Sequence, residues 1–169
     1  DHLAVFMEKG PRKLDDRDPN AVVALYRQAE KEFKEIFKQA VMSDMGELDY
    51  VIEDMGIMAP LSIRVISSNL PGELVGLYVK ERDLSGITDQ HSMSQGMFRA
   101  LSILIQINYS QMAKKSACII IDDIGEGLDF DRSCRLIDLL RRKAEEASVQ
   151  LILSTNDRFV MNRVPLEEW

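Results

Sequence analysis

The run Ala117-Cys118-Ile119-Ile120-Ile121, followed by Asp122-Asp123-Ile124-Gly125-Glu126-Gly127-Leu128-Asp129, constrains this chain more than any other stretch. A short apolar run bounded by charge and glycine predicts a buried strand of a parallel sheet, covered by helices on both faces. Two carboxylates stand where that strand ends. In open α/β sheets ligands bind beyond the carboxyl ends of the strands, so Asp122 and Asp123 fall where chemistry is expected. The pair suits magnesium, a hard cation that takes one or two protein carboxylates and completes its shell with water and phosphate oxygens.

Around this stretch the chain divides into readable segments. Residues 1–17 are mostly polar, with turn signals at Lys9-Gly10-Pro11-Arg12-Lys13, and predict a loop or frayed end. Asp18 before Pro19 matches an N-cap with proline at the first helical position. Val22, Leu25, Tyr26, Ala29, Phe33, Ile36, Phe37 and Ala40 then recur at helical spacing, predicting an amphipathic helix to about Met42 with a solvated charged face. The segment 43–60, with Gly46, Gly56 and Pro60, predicts a connection holding at most a short helical piece. Alternation in Leu61, Ile63 and Val65, the turn residues Asn69 to Gly72, and a second run through Val75, Leu77 and Val79 predict an antiparallel hairpin.

His91 to Ile107 predicts a helix buried on several faces, with Ser94 as its N-cap and Gly96 removing bulk from the first turn. Unsatisfied backbone N–H groups and the positive dipole end make such a start a natural anion site. A capped core helix without a ligand is the other reading. Past the acidic stretch, Leu136, Ile137, Leu139 and Leu140 pattern a helix from about 131 to 147, capped by Asp129 or Asp131. Val149 to Ser154 predicts a strand parallel to the first, completing a strand–helix–strand unit. Asn156, just beyond it, could cap a short helix over 158–163.

These motifs together resemble ATP-binding-cassette ATPases of the branch containing SMC, RecF and the overcoming-lysogenization-defect proteins. Asp122 matches the magnesium-associated Asp of the Walker B strand, Asp123 the catalytic Glu, and Gly127-Leu128-Asp129 the D-loop. Ser94-Gln95-Gly96-Met97-Phe98-Arg99-Ala100-Leu101 is similar to the signature motif in its Ser-X-Gly-X-X-Arg-X-Leu form. The resemblance implies an α/β fold, the C-terminal portion of a P-loop NTPase core. It comprises parallel strands with flanking helices plus an antiparallel hairpin, residues 61–169 forming the ATPase lobe and 1–60 a helical segment with a polar tail. It further implies ATP and Mg2+ as cofactors. Asp123 is then the catalytic residue, Asp122 the metal ligand, and Ser94, Gln95, Gly96, Asp129 and Asn156 contacts to nucleotide, partly across a homodimer that sandwiches ATP. Two departures are plain: Asp123 is one methylene shorter than Glu, and Asn156 stands where the family carries a switch histidine. Asn can donate a hydrogen bond to phosphate but cannot titrate near neutral pH.

No Gly-X-X-X-X-Gly-Lys-Ser/Thr sequence occurs in the 169 residues. That loop supplies the amide cradle and lysine for the phosphates. The expectation is therefore a Walker A-containing half upstream of Asp1 or on a companion chain, in a protein of DNA repair, chromosome maintenance or antiphage defence. The net charge of -7 argues against a broad nucleic-acid surface here, leaving DNA contact to other parts. No apolar run is long enough to span a bilayer. Cys118 and Cys134 lack metal-ligand spacing and read as reduced core residues, which fits a cytoplasmic protein without membrane partners. Two other classes compete: a degenerate, non-catalytic dimerisation module, which the Asp123 and Asn156 departures favour, and a phospho-acceptor receiver. Receiver folds place their acidic pair near the chain start and a lysine after the last strand, and this chain has neither.

Overall fold

The computed structural model describes residues 22–59, 75–147 and 149–168. The expected polar tail, the Asp18-Pro19 cap and the strand run through Leu61 to Val65 lie outside those residues. The first element is a helix, α1 (Val22–Glu47), longer than its apolar spacing predicted and kinked at Lys34, where φ is 52°. The kink resets the helical register. Tyr26 and Ala29 before it, and Phe37, Val41 and Met45 after it, are all fully buried, whereas Ile36, expected on the apolar stripe, is 75% exposed.

A three-stranded antiparallel sheet follows: β1 (Ile52–Met58), β2 (Gly76–Glu81) and the two-residue β3 (Thr88–Asp89), in that order. The expected second run of the hairpin is β2, but its partner is β1, in the segment read as a connection. Alternation in β1 is disguised by Glu53, Asp54 and Gly56 and by a register shift between Ile52 and Asp54. Gly56 is there for space. A Cβ at that position would lie 2.9 Å from Cε1 of Tyr78, whose ring crosses it. The Tyr78 hydroxyl then donates to Asp54 (2.9 Å), which also pairs with Lys38 of α1.

The central helix α2 (Gln95–Met112) is buried on several sides, as its sequence predicts, with Leu101, Leu104, Ile105 and Ile107 fully sequestered. At roughly 2 kcal/mol for each buried aliphatic side chain, these four dominate the local energetics. Two strands, β4 (Ala117–Ile121) and β5 (Val149–Leu153), pair in parallel around α3 (Phe130–Glu146), giving the expected strand–helix–strand unit. A short helix, α4 (Arg158–Met161), and a 3-10 turn (Leu166–Glu168) complete the described chain.

The parallel ribbon departs from expectation on one face. Ile119, Ile121 and Val149 join the core with α2 and α3, but Ile120 is 73% and Ile152 48% exposed. Cys118, expected in the core, is exposed on the same face as Ile120 and Ile152, because side chains alternate between faces; Cys134 on α3 is buried. Among the described residues, helices therefore cover one face of β4–β5, not both.

Three helices are tied by a buried polar cluster. Asp44 of α1 is 6% exposed and accepts from Asn108 Nδ2 of α2 (2.6 Å) and Lys143 Nζ of α3 (2.8 Å), and Lys143 also donates to Asn108 Oδ1 (3.1 Å). Burial pushes the Asp44 carboxyl above its usual range, although Asn108 and Lys143 pull the other way. Removing one partner strands the other in low dielectric. Asp44→Ala and Lys143→Met are each expected to cost about 3–5 kcal/mol in urea unfolding, and the double variant distinctly less than the sum. Strict additivity would show that the cluster is not an interacting unit.

Candidate functional site

In the parallel register Ile121 lies opposite Leu153, so the strands end together and Asp122 and Ser154 leave the sheet side by side. Ser154 is the hub of the site. Its N–H donates to the Ile121 carbonyl (2.9 Å) and its carbonyl accepts from Ile124 N–H (3.0 Å). Its hydroxyl donates to Asp122 Oδ1 (2.5 Å) and accepts from the Asp123 N–H (2.8 Å). One serine thus fixes both acidic residues. Asp123 adopts a left-handed backbone, φ 46°, which Asp tolerates better than bulkier residues and which persists because both flanks are held.

The second support comes from α2. Arg99 Nη2 donates to the carbonyls of Asp122 and Asp123, the latter at 3.0 Å, and Nη1 pairs with Glu126 at 2.9 Å. Gln95, one helical turn earlier and so on the same face, donates to the other Glu126 oxygen at 3.2 Å. Backbones meet as well. A Cβ on Gly96 would lie 2.1 Å from the Gly127 carbonyl oxygen, so only glycine permits this approach of α2 to the acidic turn. Gly127 itself has φ 77°, a conformation suited to glycine.

Ser94 caps α2 as predicted, its hydroxyl accepting from Met97 N–H at 3.2 Å. Ser94 and Gln95 are exposed and Gly96 is buried beneath Gly127. Tyr50 is half-buried, and burial pushes its phenol above the usual pKa range. Arg132 stacks on the Tyr50 ring at 4.4 Å. Arg132 also pairs with Asp129, which caps α3 by accepting from Arg132 N–H at 2.9 Å. That backbone hydrogen bond, and the Arg132 charge, hold the Asp129 carboxyl below its usual range.

Asn156 is exposed just past β5. It does not cap the following helix, contrary to the expected alternative. Asp157 does, accepting from Phe159 N–H at 2.8 Å, because its shorter offset to the first helical N–H fits an Asx turn. The structure therefore gathers Ser94, Gln95, Gly96, Asp122, Asp123 and Asp129 around one turn, with Asn156 at the end of the neighbouring strand. Sequence reasoning gave no role to Ser154, Arg99, Glu126 or Tyr50. Arg99 was visible inside a motif; Ser154 gave no signal beyond being the first polar residue after a strand.

Among the described residues no group of three or more His, Cys, Asp or Glu could close around a metal ion. A hard cation at the sheet tip would meet the Asp122 carboxylate and draw its other oxygens from phosphate and water, which is a donor set magnesium favours.

No protein-family model and no curated protein matches this sequence. Solved structures do. A structure from work on ATP-driven dimerisation and DNA-stimulated activation of SMC ATPases aligns with TM-score 0.51 at 16% identity, over 82% of this chain and 78% of that one. The Smc head bound to the C-winged-helix domain of ScpA gives TM-score 0.54 at 13% identity, over 86% of this chain and 44% of that one. The Pyrococcus yayanosii Smc head with a coiled coil and joint gives 0.54 at 17% identity, over 82% and 26% respectively. The fold resembles part of the fold of these heads. At these identities the likeness speaks for architecture, and this chain spans less than half of the latter two proteins. The SMC-like architecture agrees with the C-terminal portion of a P-loop NTPase expected from the motifs.

The packing predicts two outcomes. Gly96→Ala forces backbone apart from backbone and is expected to lower stability by about 1–3 kcal/mol in denaturant unfolding; an unchanged midpoint would contradict the contact. Because the folded pKa of Asp129 is depressed, its stabilisation is present above the ordinary value of 3.8 and lost as pH falls through the lower folded value. The stability gap between wild type and Asp129→Ala should therefore narrow with acidification in that window, and a gap independent of pH would exclude a charged cap.

Proposed function

We propose that this chain is the C-terminal part of an ATP-binding and ATP-hydrolysing head, in which ATP is sandwiched between two subunits. The observation that carries the reading is the Ser154-held acidic pair at the tip of a parallel sheet, against the capped start of α2. Asp122 would hold the metal, directly or through water. Asp123 orients or deprotonates the attacking water. Ser94 and Gln95 present the exposed start of α2 to the phosphates held by the opposing subunit, Gly96, expected to join them, lies beneath Gly127 and instead lets α2 approach the acidic turn, and Asp129 and Asn156 contribute from the D-loop and the switch position. Mg2+, when bound with ATP, neutralises charge on the phosphates.

A Walker A-containing N-terminal half of the same ATPase completes the site. The support is physical: among the described residues the parallel sheet has two strands and one uncovered face, an unfinished layer, since parallel strands are normally buried on both sides. In this reading residues 61–169 form the lobe proper and 1–60 the helical lead-in. The complete protein works in the cytoplasm, in DNA repair, chromosome maintenance or antiphage defence, and any DNA contact lies elsewhere. No helix among the described residues is long and apolar enough to cross a membrane.

A non-catalytic head that dimerises without hydrolysis is the competing reading, favoured by the short Asp123 side chain and by Asn156 in place of histidine. One experiment separates them. In the full-length protein, Asp123→Asn is expected to reduce Mg2+-dependent ATP turnover by about 100-fold or more while ATP still binds. Turnover that is equal in wild type and variant removes Asp123 from its role, and absence of turnover in wild type selects the non-catalytic head.

A further inference from the structure

Arg99 sits five residues past the cap of α2, too deep in the helix to belong to its exposed amide end, yet it is the only α2 side chain bonded to the backbone of both acidic residues among the described contacts. We infer that Arg99, with Glu126, is a positioning latch that makes the placement of Asp123 depend on the placement of the α2 N-terminus. Whatever engages the start of α2 thereby governs hydrolysis at the chain's own acidic pair. This rests on the ATPase reading above and adds regulation to it.

The guanidinium bridges three points of the acidic turn: the carbonyls of Asp122 and Asp123 and the carboxylate of Glu126. Gln95 grips the same carboxylate from the first turn of α2, and the Gly96–Gly127 contact leaves no slack between the two backbones. A displacement of the α2 start is therefore passed to residues 122–127 as a rigid body. Asp123 is the sensitive element of that turn, since its left-handed backbone has few alternatives of similar energy.

Satisfaction of Arg99 is incomplete. Among the described residues its buried Nε finds no hydrogen-bond partner, so the side chain is held in place by its two terminal nitrogens. Lysine could not substitute, because a single ammonium cannot bridge two carbonyls and a carboxylate in the plane that guanidinium provides.

The two ends of the latch belong to different nucleotides in an ATP sandwich. Ser94 and Gln95 would face the ATP of the opposing subunit, whereas Asp122 and Asp123 would act on the ATP of their own. Arg99 then links occupancy of one site to competence of the other.

The test uses the full-length protein with its phosphate-loop half. ATP turnover is measured against ATP concentration for wild type, Arg99→Met, Arg99→Lys, Glu126→Gln and Asp123→Asn, alongside melting temperature and the affinity for ATP with Mg2+. Arg99→Met and Arg99→Lys are expected to lose about 10- to 100-fold in kcat with KM for ATP within about 2-fold and little change in melting temperature. Glu126→Gln should show the same split at smaller amplitude. The sigmoidal dependence on ATP expected of wild type, with a Hill coefficient approaching about 2, should flatten toward 1 in the Arg99 variants. If Asp123→Asn abolishes turnover but both Arg99 variants retain wild-type kcat and steepness, the latch is refuted and the ATPase reading stands. If Asp123→Asn leaves turnover intact, both fall. Should Arg99→Met fail to fold, Arg99→Lys and Glu126→Gln decide by the same criteria.

Discussion

The hydroxyl of Ser154 is the contact on which the architecture of the site depends. It donates to the Asp122 carboxylate and accepts from the Asp123 amide, so a single atom sets the side chain of one acid and the backbone of the other. That is possible only because β4 and β5 run parallel and end at the same level. Parallel pairing in turn requires a crossover, and α3 supplies it. The buried face of α3, with Leu136, Ile137, Leu139 and Leu140, is thus as much part of the site as the carboxylates it places.

The turn between β4 and α3 would be free to wander without its second support. Arg99, Gln95 and the Gly96–Gly127 contact dock it on the first turns of α2, which are themselves anchored by the buried apolar side chains of that helix. Charge and sterics act together here. Glycine allows the approach, and the guanidinium offsets the crowding of carbonyl oxygens at the end of a strand. The result is an acidic pair and an amide-rich helix start that cannot move independently, which is the arrangement expected where positioning and charge stabilisation carry most of a phosphoryl-transfer reaction.

Sequence reasoning located the acidic pair, the cap of α2, the cap of α3 and the parallel strand–helix–strand unit, because each has a local signature in spacing or residue type. It failed where the cause was tertiary. The strand β1 was hidden because Gly56 makes room for Tyr78, a residue more than twenty positions away. Ile36 looked like core until the kink at Lys34 turned it outward. Cys118 was assigned to the interior on the premise of a sheet covered on both faces, and the described residues cover only one. Ser154 carries no local signature, and Arg99, although part of a motif, shows its role only through the turn carbonyls it bonds.

Metal, phosphate and the two supported acids must share one location if the site works as proposed, and the direct measurement is a crystal structure of the complete protein with Mg2+ and a non-hydrolysable ATP analogue. It should show Asp122 coordinating the ion directly or through one water, Asp123 beside the position of the attacking water, and the Ser94 end of α2 against the terminal phosphate of the partner's nucleotide. Nucleotide bound away from the Asp122–Ser154 tip, with the α2 start facing solvent or core in the assembled dimer, would contradict it.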